Sequence, residues 1–255
     1  MTDVELPITD HLAELRGRIA WVVGSWFLCA AASYAWAEDI FAFLLAPALG
    51  ALGGEASLQS IAPTEIFFTY IKCALLAGFI FSLPMFFWQA WAFIAPGLYE
   101  GEKRFVLPFV FCSTALFGGG AIFGYSIVFP IVFEFFNSFS NEFVISAWTM
   151  REVFSLTTRL FLAFGIAFEL PLVVFFLAMA GIVTARQMLS FTPYMVLVVF
   201  ILAAMLTPPD VVSQFFLAIP MMALYLLGVG AAFLVDRKKA AEEEAEETSE
   251  LTTSD

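Results

Sequence analysis

Residues 154–180 read FSLTTRLFLAFGIAFELPLVVFFLAMA. The run holds one base, Arg159, and one acid, Glu169, in a background of Phe, Leu, Val and Ala. A helix rises 1.5 Å per residue, so the stretch reaches about 40 Å, more than the roughly 30 Å of hydrocarbon in a bilayer. A globular core has no use for so long an apolar segment. The stretch reads as a membrane span, and the fold follows from how many others resemble it.

Five more apolar runs flank it, at 19–36, 65–91, 105–129, 192–207 and 214–235. Trp21 and Trp36 sit near the two ends of the first, where amphipathic rings anchor at the membrane interface. The fifth is short: at about 24 Å it implies local thinning of the bilayer. Segments 37–64 and 130–151 read as long loops, and 92–104 and 181–191 as short ones. Pro84, Pro108, Pro171 and Pro220 fall inside spans, where each removes a backbone hydrogen bond and bends its helix. Gly118-Gly119-Gly120 offers a surface for close helix approach.

Composition agrees. Of 255 residues 62% are hydrophobic, 13% are charged and 32 are Phe, and the mean hydropathy is +0.92. Soluble domains carry about a quarter charged residues. The formal charge of −12 is partly a property of residues 236–255, where eight acids face three bases. That tail can bury nothing and reads as a disordered, solvated end. No basic patch of the kind nucleic acid requires is present.

Bases set the orientation. With the N-terminus in the cytoplasm, Arg16, Arg18, Lys103, Arg104, Arg186, Arg237, Lys238 and Lys239 are all inside, and Arg151 is outside. Both termini are then cytoplasmic and both long loops external. Lys72 and Arg159 lie near span ends, where long stems snorkel to water.

Catalytic chemistry finds little to work with. Cys29, Cys73 and Cys112 are isolated in apolar runs, with neither a CxxC spacing nor an even count. His11 is the sole histidine, and it lies outside the spans. A serine-type intramembrane protease lacks its base, and an aspartyl type lacks two membrane-level Asp residues. No nucleotide loop, metal cluster or cofactor motif is expected, so the chain reads as non-enzymatic. A proton-coupled carrier of small solutes stays open as a rival, on the strength of the broken helices and Glu169.

Motifs distributed along the chain decide between the readings. His11-Leu12-Ala13-Glu14-Leu15-Arg16-Gly17-Arg18 resembles the amino-terminal motif of TatC proteins. Ala46-Pro47 is similar to the family's element in the first external loop, and Trp91-Ala92-Phe93-Ile94-Ala95-Pro96-Gly97-Leu98-Tyr99 with Glu102-Lys103-Arg104 to its first cytoplasmic loop. Phe164-Gly165 with Phe168-Glu169-Leu170-Pro171 resembles its fourth helix, and Leu206-Thr207-Pro208-Pro209-Asp210 with Ser213-Gln214 its last external turn. The matches keep the family's order up to about residue 235.

The resemblance implies an all-α membrane protein: six transmembrane helices in a curved, glove-like bundle over residues 1–235, placed in the bacterial inner membrane. It implies a receptor and core subunit of the twin-arginine translocase. Such a protein binds the twin-arginine signal peptides of folded precursors at the cytoplasmic face. It then acts with TatA- and TatB-type single-span partners in a homo-oligomeric complex driven by the proton-motive force.

Site residues follow from the same resemblance. By residue type alone, Glu14 and Glu102 either balance nearby bases at helix ends or face guanidinium groups; the resemblance selects the second role. Exposed ion pairs contribute about 0–1 kcal/mol and cannot strongly prefer Arg to Lys, so discrimination needs bidentate geometry near the interface. Phe93 and Pro96 would shape that surface, and Arg16 would orient a carboxylate. Glu169 lies deep in its span, where an acid is costly and functional by default. Contact with a partner or inserted signal peptide ranks first for it, a structural bond to a neighbouring helix second, and a proton relay third. Thr207 and Gln214 would dock the single-span partners, with simple capping of the turn as the alternative.

Overall fold

The computed structural model describes residues 8–51, 58–94, 106–139, 148–207 and 210–253. The chain is built of helices: α1 (Ile8–Ser33), a 3-10 turn (Tyr34–Trp36), α2 (Ala37–Ala51), α3 (Pro63–Ile94), α4 (Val106–Phe123), a π turn (Gly124–Val128), α5 (Phe129–Asn137), α6 (Met150–Met179), α7 (Ala185–Leu206) and α8 (Val211–Thr253). Among the described residues six stretches are long and apolar enough to cross a membrane: Leu12–Ala51, Pro63–Ile94, Leu107–Asn137, Met150–Met179, Ala185–Leu206 and Val211–Ala241.

Two compact units share these helices. The first falls within Met1–Ala115 and Tyr125–Thr158, the second within Leu116–Gly124 and Arg159–Asp255.

In the first unit α1 lies along α3. Gly78 makes this possible, because a Cβ there would collide with the backbone N and Cα of Ala30. Trp26 fastens the pair by donating its indole N–H to the Leu75 carbonyl at 2.8 Å. The two segments expected to be loops contain helix. In α2, Leu44, Leu45 and Ala48 are buried; in α5, Phe129, Val132 and Phe133 are. These apolar faces are why both segments coil up rather than remain irregular, and α2 packs on α3 and α5. Pro130 has no N–H and crowds the carbonyl four residues back, and the π turn lies just ahead of it.

Beyond these helices the two loop ends are tied together. The Gln59 N–H donates to the Trp148 carbonyl (2.9 Å) and the Met150 N–H to the Gln59 carbonyl (3.0 Å). The Glu65 carboxylate accepts from the Ile61 and Arg151 amides at 3.0 and 2.9 Å.

In the second unit α4 meets α6 through Gly120. A Cβ on it would strike the Phe164 carbonyl and the Phe168 side chain, whereas Gly118 and Gly119 face open space. Of the expected triple-glycine surface, one position does the packing. The turn from α6 to α7 closes in a Schellman arrangement. Gly181, at φ +72°, donates to the Ala178 carbonyl, and the Ile182 N–H reaches back to Leu177, both at 3.0 Å. Val174, Ala178, Ala185 and Ala232 form the core where α6, α7 and α8 converge.

Three expectations are corrected here. The fifth span is not short: α7 has 22 residues, about 33 Å, because it starts at Ala185 under a capping box in which Thr184 and Gln187 satisfy each other's backbone N–H. Pro108 stands in the first turn of α4 and breaks nothing, whereas Pro193 lies inside α7. Residues 236–253 are not disordered chain but continue α8; Ala, Glu and Lys dominate that stretch, and all are strong helix formers.

Candidate functional site

The first candidate site begins on the opening turns of α1. Glu14 and Arg18 stand four residues apart, one above the other on the helix face. Arg18 donates to Glu14 Oε1 through Nε at 2.9 Å and through a terminal guanidinium nitrogen at 2.6 Å. Its other terminal nitrogen donates to the Gln89 side-chain oxygen of α3 at 3.1 Å. The two side chains are 23% and 33% exposed, Arg18 the less, which places the pair at the edge of the packed helices and not out in water. Glu14 is thereby referenced to α3 through Arg18.

Arg16 is exposed, and two residues turn a helix by about 200°, so it stands on another face of α1 from Glu14. Arg18 is the base seen bonded to Glu14. Its signal in the sequence is the i,i+4 spacing from Glu14; nothing in the sequence marks Gln89, which is brought in by α1–α3 packing.

One turn beyond Gln89, Phe93 is half-buried near the end of α3. Trp91 fixes this end. It is buried, stacks on Phe109 at 4.7 Å between ring centroids and donates its N–H to the Ser113 hydroxyl of α4 at 3.1 Å. Pro96 and Glu102 follow in a segment outside the described residues, so the structure brings Glu14 and Phe93 to one end of the α1–α3 pair without placing the second carboxylate.

Glu169 is half-buried on α6, two residues before Pro171. Four residues before it, Gly165 lies under the Phe117 ring of α4. The acid thus sits where α6 is closely approached by Phe117 and carries a proline within the helix.

The third set lies at the turn between α7 and α8. Thr207 is 5% exposed and donates its hydroxyl to the Ala203 carbonyl at 2.9 Å. Gln214 donates its side-chain amide to the Phe200 carbonyl at 2.7 Å. Asp210 caps α8, accepting the Ser213 N–H at 2.7 Å. The hydroxyl proton of Thr207 and one amide proton of Gln214 are spent on α7 itself.

Six apolar spans, a carboxylate–guanidinium pair at one helix end and an acid beside an in-span proline define a polytopic α-helical membrane protein with polar sites built into its helices. The model of the family described as Sec-independent protein translocase protein (TatC) matches residues 10–220. The TatC of Desulforapulum autotrophicum is 42% identical over 251 residues, covering 97% of this chain and 92% of that protein. The TatC of Magnetococcus marinus is 40% identical over 247 residues, with 96% and 91% covered. A crystal structure of the twin-arginine translocase receptor TatC superposes with a TM-score of 0.81 at 35% identity, covering 89% of this chain and 99% of that one. The chain belongs to the TatC family.

Proposed function

We propose that the protein is the receptor and core subunit of a twin-arginine translocase in a bacterial cytoplasmic membrane, with both termini in the cytoplasm. It binds twin-arginine signal peptides of folded precursors and exports them with TatA- and TatB-type partners, in an oligomeric complex that draws on the proton-motive force and needs no catalytic step of its own. The observation that carries this reading is family membership along nearly the whole chain. The Glu14–Arg18–Gln89 linkage supports it at the level of residues. A carboxylate steadied in a partly enclosed position is what bidentate recognition of guanidinium needs. Glu14 and Glu102 face the arginine pair, Phe93 and Pro96 line the surface, and Glu169 contacts the inserted peptide or a partner. Family membership also favours protein export over small-solute carriage.

Complementation tests this. The gene should restore export of a folded twin-arginine reporter to a bacterium that lacks its own TatC protein but keeps the single-span subunits. Uptake of small solutes by the purified chain, with no export, would instead support the carrier reading.

A further inference from the structure

α7 is held in an unusual way. Of its 22 residues, Ala185, Val199 and Ala203 are buried, and these small side chains supply little interdigitation. Lipid tails are as apolar as Leu, so no hydrophobic force presses such a helix onto its neighbour. Beside one edge-to-face ring contact, Phe200 on Phe215 at 5.1 Å, and Met188 packed on the shared core, what α8 offers is polar. Gln214 donates to the Phe200 carbonyl at 2.7 Å, Tyr225 donates its hydroxyl to the Met188 carbonyl at 2.6 Å, and Asp236 accepts the Ala185 N–H at 2.8 Å. Each of these bonds is from an α8 side chain to an α7 backbone atom.

Their spacing is regular. Residues 214, 225 and 236 stand eleven apart, and eleven residues are close to three helical turns. The three side chains therefore project along one line of α8. The buried residues Leu217, Ala218, Met221, Val229 and Ala232 accompany that line. One turn past Asp236, Lys239 extends the pattern to α6, donating to the carbonyls of Ala178 (3.2 Å) and Met179 (2.8 Å). Asp236 thus meets the N-terminus of α7 and Lys239 the C-terminus of α6, each with the charge that the helix dipole favours.

We infer that Gln214, Tyr225 and Asp236 form one polar ladder that sets the position of α7. In this role Gln214 is a positioning residue on α8 and acts on a docking partner through α7. Backbone groups are the fixed points of the ladder, so it constrains the height and rotation of α7 whatever side chains α7 presents to lipid. The consequence for docking rests on the receptor reading above; the ladder itself does not.

The ladder is tested by amide hydrogen exchange on the full chain in lipid nanodiscs, with no partner or peptide present. Gln214→Leu should speed exchange in the 197–206 part of α7. Tyr225→Phe and Asp236→Ala should speed it in the 185–192 part. Each effect should be about three- to tenfold, while Asp236→Asn, which keeps an acceptor, should stay near wild type. Unchanged exchange across all three variants, or equal effects of Asn and Ala at 236, would overturn the ladder.

A second arm reads export of a twin-arginine reporter by each variant. Tyr225 is 1% exposed and cannot touch a partner, so an export defect in Tyr225→Phe matching that of Gln214→Leu supports action through α7. Full export by Tyr225→Phe beside a defect in Gln214→Leu contradicts the positioning role and returns Gln214 to direct contact. Should the wild type itself fail to export, the receptor reading falls while the exchange result still decides the ladder.

Discussion

Gly78 of α3 lies against the main chain of Ala30 in α1 with no room for a Cβ between them. This contact sets how closely the first two spans approach, and through them where Arg18 meets Gln89. Gly78→Val should destabilise the protein by about 1–3 kcal/mol, read as a lower midpoint of thermal unfolding in detergent. Gly24→Ala and Gly118→Ala, where a Cβ meets nothing within 4 Å, should leave the midpoint in place.

Arg18 is the residue that ties Glu14 to α3, and its loss should be felt in ligand binding more than in stability. An i,i+4 ion pair contributes about 0.3–0.5 kcal/mol to a helix. A charge-assisted hydrogen bond that orients a binding carboxylate is worth about 1.5–3 kcal/mol. Arg18→Gln should therefore weaken signal-peptide binding about tenfold with little change in melting, whereas Arg16→Gln should have the smaller effect. Fluorescence anisotropy with a labelled peptide gives both numbers.

Glu169 separates contact from proton transfer. Glu169→Gln keeps a hydrogen-bonding side chain of the same size but cannot shuttle a proton. As a contact residue it should retain most of its export activity in the Gln variant and lose about tenfold in Glu169→Ala. Equal loss in both variants would point to a relay.

Asp236 and Lys239 bond α7 and α6, so removing residues 241–255 should leave stability and export close to wild type. Removing 236–255 should lower the unfolding midpoint and loosen the α6–α7 turn, read as faster proteolysis there.

The spans were legible because lipid demands long uncharged runs, which composition alone reveals. Their ends were not. α7 begins early because Thr184 and Gln187 form a capping box, a four-residue pattern present in the sequence but hidden beside Gly181 and Arg186. α2 and α5 fall in segments read as loops; the buried faces around Leu45 and Phe133 outweigh the helix-breaking Pro47, Gly50 and Pro130. The helical continuation past Asp236 was visible in Ala, Glu and Lys content, yet the excess of acid argued for solvated coil. At the candidate site, the motif singled out Glu14, while its i,i+4 spacing to Arg18 was present in the sequence and not used. Gln89 depended on a tertiary contact that no local pattern encodes, and the roles of Gln214 and Asp236 appear once α7 and α8 are set side by side.

Recognition of paired arginines by a steadied carboxylate is open to a binding test with matched peptides. The purified chain is titrated with a signal peptide carrying Arg-Arg and with its Lys-Lys twin, and Glu14→Ala and Glu102→Ala are titrated in parallel. The wild type should prefer Arg-Arg at least tenfold, and both variants should lose that preference. Equal binding of the two peptides, or a preference that survives removal of Glu14, would contradict this recognition.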